Sequence, residues 1–203
     1  MPTTGEFLVG LFMGLPGMSD NVLGGRVMIY FETPRLIFRD WREQDLREFR
    51  MMNKDSRVMR YFPKTLTEQE TYSLYEMIRN EFSLGYGAYA VETKDNHEFI
   101  GFIGFHRATF EAAFTPCVEI GWRLKYAAWG NGYATEGAKA CLDYGFNTLG
   151  LDKVYSFTAK VNLLSENVMK KLGMKKVMEF KHPHVAENSP LSEHVLYMYE
   201  LKG

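Results

Sequence analysis

The sequence predicts one α/β domain built on a mixed sheet, and three observations lead to this fold class. Its 203 residues are enough for one well-buried domain and few for two. Segments with the period of strands and segments with the period of helices follow one another in the order β-α-α-β-β-β-α-β-α-β-β. Hydrophobic residues at 46% and aromatic residues at 15% indicate a folded chain rather than a disordered one.

Two helices follow the first predicted strand. Residues 35–39 alternate between polar and apolar side chains, which is typical of a strand. Apolar residues then recur at helical spacing, with Leu46 and Phe49 on the inner face of the first helix. Thr67 and Glu70 form a capping-box pattern that begins the second helix. The residues expected to face the core from that helix are Tyr72, Tyr75, Ile78 and Phe82.

The remaining strands flank a central segment. Residues 88–92 and 98–110 predict two strands joined by a hairpin-type turn. Gly101 and Gly104 interrupt the second of them, which indicates a bulge or the close approach of another backbone. Further strands are predicted at 154–159, 174–180 and 193–201, with a helix that begins after Asn162 between the first two.

The central segment, residues 116–150, contains the pattern with the most chemical content. Val118, Ile120 and Trp122 alternate with polar residues or glycine as in a strand, and a Gly-Asn-Gly turn at 130–132 then opens a helix predicted over 134–149. Free N–H groups and the positive end of the helix dipole suit this turn to a phosphate or diphosphate. A tight turn without a ligand is the alternative. The pattern matches neither a P-loop nor a dinucleotide-binding fingerprint.

Composition limits the partners. The 24 Lys and Arg residues balance 25 Asp and Glu residues, so there is no electrostatic argument for a nucleic-acid partner. Cys117 and Cys141 make no disulfide framework, and we expect a reducing, cytoplasmic setting. Residues 1–27 are expected to be an extension outside the core domain at 28–203, or an arm that docks on a neighbouring subunit. Their apolar run is too short to span a bilayer, so no membrane partner is expected, and we expect a monomer or homodimer.

Three segments carry a resemblance to a known family. They are TPRLIFR at residues 33–39, EIGW at 119–122 followed by WGNGYATE at 129–136, and NLLS at 162–165 followed by Val168 and KLGM at 171–174. Together they resemble the GNAT superfamily of N-acetyltransferases, and within it the ribosomal-protein N-acetyltransferase (RimJ/RimL-like) branch. The general superfamily pattern has Gln or Arg where Trp129 stands, whereas Trp is usual in this branch.

The resemblance implies a fold, a coenzyme and a reaction. The sheet is expected to be mostly antiparallel and splayed at its central strands, with the pantetheine of acetyl-CoA in the gap and no metal. Acetyl transfer would go directly to a primary amine, on a protein N-terminus or a small molecule. The coenzyme-binding residues that it implies are Ile120, Gly121, Trp122, Arg123, Trp129, Gly130, Asn131, Gly132, Tyr133, Ala134, Thr135, Asn162, Ser165 and Lys171.

Two residues are candidates for catalysis. By the resemblance, Glu119 lies beside the thioester and takes the amine proton, directly or through water. The alternative is a strand carboxylate that faces solvent or pairs with Arg123. Ser165 resembles the serine that this branch places near the coenzyme sulfur, or it is a first-turn serine bonded to backbone. Lys170 and Lys171 face the coenzyme 3′-phosphate, or they only complement the helix dipole.

Three histidines lie near the C-terminus. His182, His184 and His194 have no recognised zinc spacing. We expect the loop 181–192 to cover the acceptor pocket, with His184 or Tyr197 shaping it. Two other classes of function stay open at this point: a non-catalytic acyl-CoA-binding or regulatory module of the same fold, and a structural protein whose glycine turn binds nothing.

Overall fold

Eight strands form one sheet in the computed structural model, which describes residues 27–200. In chain order they are β1 (Ile29–Glu32), β2 (Leu36–Arg39), β3 (Ala88–Thr93), β4 (Phe99–Ala108), β5 (Cys117–Leu124), β6 (Lys153–Ala159), β7 (Lys175–Lys181) and β8 (Glu193–Glu200). Their order across the sheet is β1-β2-β3-β4-β5-β6-β8-β7. Neighbours are antiparallel except β5 and β6, which run parallel.

The sheet opens between its two parallel strands. β4 and β5 pair along their length, from Gly101 opposite Leu124 to Ala108 opposite Cys117. By contrast, β5 and β6 are in register at one pair only, Glu119 with Tyr155. The backbone groups of β5 beyond this pair therefore have no ladder on that side and can bind a ligand. The predicted mixed, mostly antiparallel sheet that splays at its central strands is confirmed.

Four helices cover the two faces of the sheet: α1 (Asp45–Lys54), α2 (Glu68–Glu81), α3 (Tyr133–Asn147) and α4 (Leu163–Lys171). Phe49 of α1 and Leu74 of α2 share one buried cluster with Phe102 of β4. On the other face, Leu142 of α3 and Met169 of α4 belong to a second cluster. No helix between residues 27 and 200 combines the length and the apolar character needed to cross a membrane.

Several predicted local features are confirmed. The Thr67 hydroxyl accepts from the Glu70 N–H at 3.2 Å, and the Glu70 carboxylate accepts from the Thr67 N–H at 2.8 Å, which completes the capping box. A β-carbon added at Gly101 would lie 2.2 Å from the Arg123 carbonyl oxygen. One added at Gly104 would lie 2.3 Å from the carbonyl oxygen of Gly87, the residue before β3. Both glycines thus permit the close backbone contact that aligns β4 with its neighbours.

Other expectations differ from the structure or concern residues that it does not describe. The strand β1 was not predicted, because four residues at a sheet edge are too few to show a period. Helix α3 begins at Tyr133 and ends at Asn147, close to the predicted 134–149. Tyr72 is 43% exposed, because the buried face of α2 runs through Thr71, Leu74 and Tyr75 instead. Of the predicted extension 1–27, residues 1–26 lie outside the described residues.

Candidate active site

A cavity of about 480 Å³ lies at the opening between β5 and β6. Its walls come from the α1–α2 connection, strands β4 to β6, the first turns of α3 and α4, and the β7–β8 connection. All but two of the predicted site residues line it: Glu119, Gly121, Trp122, Arg123, Trp129, Gly130, Gly132, Tyr133, Ala134, Thr135, Asn162, Ser165 and Lys171. The side chain of Ile120 is buried in the core instead, and Asn131 is exposed outside the cavity.

The start of α3 forms one end of the cavity. Gly130 and Gly132 have φ angles of 77° and 79°, a left-handed conformation that glycine adopts without strain. Gly132 is the N-cap residue, and no side chain caps the helix. The N–H groups of its first turn, at Tyr133, Ala134 and Thr135, therefore lack a side-chain acceptor at the wall of the cavity. With the positive end of the helix dipole, this arrangement suits an anionic group.

The turn before α3 is held in place by the segment before β2. Arg35 Nε donates to Glu136 Oε2 at 2.6 Å, and the Thr33 hydroxyl donates to Glu136 Oε1 at the same distance. The Arg35 guanidinium also donates to the Asn131 carbonyl at 2.9 Å. These contacts tie both the turn and the first helical turn to β2, so the uncapped N–H groups have a fixed direction.

Glu119 lies on β5 where the sheet begins to open. Its partner across β4 is His106, and both residues line the cavity. Burial, with a smaller contribution from the charge of Glu81, raises the pKa of Glu119 to about 8, and the nearby His106 acts in the opposite direction. A carboxyl group with this pKa can exchange a proton near neutral pH. The alternative pairing with Arg123 is wrong, because the Arg123 guanidinium donates to Asn53 Oδ1 at 2.8 Å.

A histidine and a second carboxylate accompany Glu119. His106 Nδ1 forms a short hydrogen bond with Glu81 Oε1, at the C-terminal end of α2. Although burial opposes it, this bond and the charges of Glu81 and Glu119 raise the pKa of His106. His106 is therefore held in one orientation and biased toward its charged form beside Glu119. Sequence reasoning did not find the Glu81–His106 pair.

The first turn of α4 lines the opposite wall. Asn162 Oδ1 accepts from the Ser165 N–H at 3.3 Å, and Asn162 Nδ2 donates to the Thr158 hydroxyl at 2.9 Å. Asn162 is thus the predicted N-cap, and its capping contact uses the backbone of Ser165 rather than its hydroxyl. Lys171 lines the cavity, whereas Lys170 pairs with Glu166 at 3.1 Å and does not.

Aromatic rings form the far end of the cavity. We call this surface the aromatic wall: Phe110, Phe157, His182, His184 and His194. Ring centroids lie 4.6 Å apart for Phe110 and His182, and 4.9 Å apart for His182 and His194. Burial lowers the pKa of His182 to about 3 and also lowers that of His194. His184 shapes the cavity as predicted, but Tyr197 does not line it and instead donates to Glu166 at 2.8 Å.

The chain matches known proteins over most of its length. The sequence profile of the family described as "Acetyltransferase (GNAT) domain" matches residues 35–175. The chain belongs to the GNAT acetyltransferase family. This GNAT protein is 29% identical over 154 residues to the "Uncharacterized N-acetyltransferase YnaD" of Bacillus subtilis (strain 168), an alignment that covers 75% of this chain and 86% of that relative.

Solved GNAT structures share its fold. An acetyltransferase (GNAT family) from Bacillus anthracis superposes with a TM-score of 0.69 at 27% identity, covering 83% of this chain and 96% of that one. The RimL ribosomal L7/L12 alpha-N-protein acetyltransferase in complex with coenzyme A superposes with a TM-score of 0.71 over 86% and 98% of the two chains, at 14% identity. The latter likeness concerns the fold alone. The predicted GNAT resemblance and N-acetyltransferase class are confirmed, and the RimJ/RimL-like branch stays a prediction.

The GNAT site also contains features that the sequence did not indicate. The buried guanidinium of Arg123, one of the predicted coenzyme-binding residues, lies 4.3 Å from the centre of the Phe62 ring beside the cavity. Burial lowers its pKa to about 10, so it is charged at neutral pH. Phe110 and Phe157 were missed as well. In the sequence they are ordinary apolar residues of two separate predicted strands, and only the fold brings them together.

Proposed function

We propose that this acetyltransferase transfers the acetyl group of acetyl-CoA directly to a primary amine. One observation carries the proposal: a single cavity joins the uncapped start of α3 to Glu119, a carboxyl group with a pKa raised to about 8. The first feature suits a diphosphate and the second suits proton transfer from an amine. A RimL protein of the same fold binds coenzyme A, which supports the choice of carrier.

The arrangement of the cavity favours one direction for the coenzyme, with its diphosphate at the start of α3 and its thioester toward Glu119. Its diphosphate would accept hydrogen bonds from the N–H groups around Gly132 and Ala134, where a glycine lets the phosphates approach the backbone. Pantetheine would then follow β5 through the opening and pair with backbone groups of residues 119–123, as an added strand does. In this direction the thioester would lie beside Glu119. Lys171, which also lines the cavity, would be available to the 3′-phosphate of the coenzyme.

Each step of the reaction has a residue in this arrangement. Glu119 accepts a proton from the acceptor ammonium, and the free amine attacks the thioester carbonyl. Backbone N–H groups near Gly121 stabilise the oxyanion, a contribution typically worth about 3 kcal/mol per donor. Attack forms the carbon–nitrogen bond and gives the tetrahedral intermediate, whose collapse breaks the carbon–sulfur bond. Ser165 donates its hydroxyl proton to the departing thiolate and takes up the second proton that the nitrogen loses. The amide and CoA then leave, and Glu119 releases the first proton to solvent.

The cysteines support direct transfer over a covalent acetyl-enzyme. A cysteine side chain is an effective nucleophile only in its deprotonated, thiolate form. Burial raises the pKa of Cys117 to about 12, and it raises the pKa of Cys141 well above its ordinary value. Neither cysteine lines the cavity. We therefore expect sequential rather than ping-pong kinetics, with both substrates bound before CoA is released.

Substitution of Gly132 tests the coenzyme site. Gly132→Asp places a negative charge at the start of α3, where it competes with the diphosphate for the same N–H groups. We expect the Kd for acetyl-CoA to rise about tenfold by isothermal titration calorimetry. Two like charges about 4 Å apart repel by roughly 1–4 kcal/mol, and about 1.4 kcal/mol corresponds to a tenfold change in Kd. Gly132→Asn is the matched control, because Asn and Asp tolerate the left-handed conformation similarly.

The same pair of variants distinguishes the diphosphate from the rest of the coenzyme. With S-acetylpantetheine, which lacks the diphosphate, the two variants should bind equally. Equal affinity of the Asp and Asn variants for acetyl-CoA itself would show that the diphosphate does not bind at the start of α3.

A further inference from the structure

We propose that the acceptor is a small monoamine with an aromatic body, whose ring stacks against the aromatic wall while its nitrogen meets Glu119. This inference rests on the proposed acetyl transfer and specifies its acceptor. The alternatives are a polyamine and a protein N-terminus, and each makes different demands on the cavity.

The register of the sheet places the aromatic wall beside Glu119. Tyr155 is the partner of Glu119 across the parallel pair, and paired residues direct their side chains to the same face. Phe157 lies two residues further along β6, so it shares that face at a displacement of about 7 Å. The ring of Phe157 approaches that of Phe110 edge-on, with centroids 5.5 Å apart. An amine with a short alkyl spacer and a ring can span from Glu119 to this wall.

Burial disfavours the charged forms of two histidines in the aromatic wall. It lowers the pKa of His182, 8% exposed, to about 3, and it also lowers the pKa of His194. Their rings lie close to those of Phe110 and Phe157 and extend the same surface. Neutral rings offer a flat apolar surface on which another aromatic ring stacks favourably.

The charges that line the cavity oppose a polyamine. Among the described residues of the lining, Glu119 is the only carboxylic acid. Arg123 and Lys171 add positive charge to the same cavity. A polyamine brings one or more ammonium groups besides the one that reacts, and each would be desolvated without a carboxylate partner. A monoamine brings only the nitrogen that Glu119 deprotonates.

An acceptor panel tests this inference with the full chain. CoA release is measured with 2-phenylethylamine, spermidine and a peptide that has a free N-terminus, each at saturating acetyl-CoA. We expect kcat/KM for 2-phenylethylamine to exceed that for spermidine and for the peptide by at least tenfold. The variant Phe157→Leu should raise the KM for 2-phenylethylamine about tenfold and leave the KM for acetyl-CoA unchanged.

Phe114→Leu is the matched control for Phe157→Leu. The Phe114 ring contacts the rings of Phe157 and Phe180, but Phe114 does not line the cavity. We expect its kinetic constants to stay within about twofold of those of the unchanged protein. An equal effect of both variants would assign the Phe157 effect to packing and overturn its contact with the acceptor.

Two other outcomes separate this inference from the proposed function. Faster acetylation of spermidine or the peptide than of 2-phenylethylamine would overturn the aromatic acceptor while acetyl transfer stands. Binding of acetyl-CoA without CoA release for any amine would overturn the proposed transfer, and the acceptor inference with it.

Discussion

Replacing Glu119 with Gln is expected to lower kcat/KM by about 10²–10⁴-fold, the range in which a positioned general base contributes. The amide keeps the size of the side chain and its place opposite His106 but cannot accept the amine proton. Binding of acetyl-CoA should be retained, because the start of α3 is unchanged. The measurement is CoA release at varied acceptor concentration, combined with calorimetry of coenzyme binding.

The loss of kcat/KM in Glu119→Gln should depend on pH, because Glu119 acts as a base only when it is deprotonated. Since burial raises the pKa of Glu119 to about 8, most of this group is protonated at pH 7 and cannot act as a base. The ratio of kcat/KM between the unchanged protein and Glu119→Gln should therefore increase with pH up to about 8 and then level. The acceptor amine titrates equally in both proteins, so the ratio isolates Glu119.

The same ionisation should lower folding stability as pH rises, whereas it increases the kcat/KM ratio. A carboxyl group with a raised pKa in the folded protein binds its proton more tightly there than in the unfolded chain, where its ordinary value is 4.5. Its contribution to stability is complete below pH 4.5 and is lost as pH rises toward about 8. The denaturation midpoint of the unchanged protein should therefore fall relative to Glu119→Gln across this window.

Asp143→Asn is the control for a lost carboxylate, because Asp143 is exposed on α3 and is not part of the cavity. It should leave both kcat/KM and the pH profile unchanged. A Glu119→Gln variant with less than a tenfold loss would exclude Glu119 as the base. If the unchanged protein also transferred no acetyl group while it bound the coenzyme, the non-catalytic acyl-CoA-binding module would be the correct class.

Features that depend on neighbours in the chain could be predicted from the sequence. The capping box at Thr67 and Glu70 and the cap at Asn162 are local hydrogen bonds, and both are present. The glycine turn before α3 is also local, because a left-handed φ angle at Gly130 and Gly132 needs no distant contact. The end of the cavity at the start of α3 is built almost entirely from such features, which is why its lining residues could be named from the sequence.

Features that depend on pairing between distant segments could not be predicted. Glu81 and His106 are 25 residues apart, and Asn53 and Arg123 are 70 residues apart. No local period encodes these contacts, since they follow from how α1 and α2 pack on β4 and β5. The aromatic wall has the same origin, because its rings come from separate loops and strands. The end of the cavity at the aromatic wall is therefore the part that could be described only from the structure.

A buried charge network between β2, α1 and β3 illustrates the same limit and leads to the largest expected effect on stability. Arg39, 1% exposed, donates to both carboxylate oxygens of Asp45, at 2.8 and 2.9 Å, and to Glu92 at 2.7 Å. Asp45 and Glu92 are each 3% exposed. In the sequence, Arg39 is only the last residue of a predicted strand in which polar and apolar side chains alternate.

Replacing Arg39 with Met is expected to destabilise the fold by about 3–5 kcal/mol, because Asp45 is left buried without its cation and Glu92 keeps only its contacts with Arg42 and His97. For a chain of this size the unfolding temperature should fall by roughly 6–20 °C, measured by calorimetry. Arg57→Met is the matched control. Arg57 also pairs with an aspartate, at 2.6 Å, but its side chain is 60% exposed, so its loss should leave the midpoint near that of the unchanged protein.

A triple variant separates unpaired charge from lost packing. Arg39→Met combined with Asp45→Leu and Glu92→Leu removes the two carboxylates as well as the cation, and apolar replacements of a buried ion network are often tolerated. We expect it to recover part of the stability lost in Arg39→Met. The contact of Asp45 with the Arg42 N–H at 2.8 Å is lost, and so are the contacts of Glu92 with the Arg42 guanidinium at 3.1 Å and with His97 at 2.7 Å. A triple variant less stable than Arg39→Met would show that the remaining contacts of the two carboxylates outweigh the cost of their unpaired charge, and would contradict the charge argument.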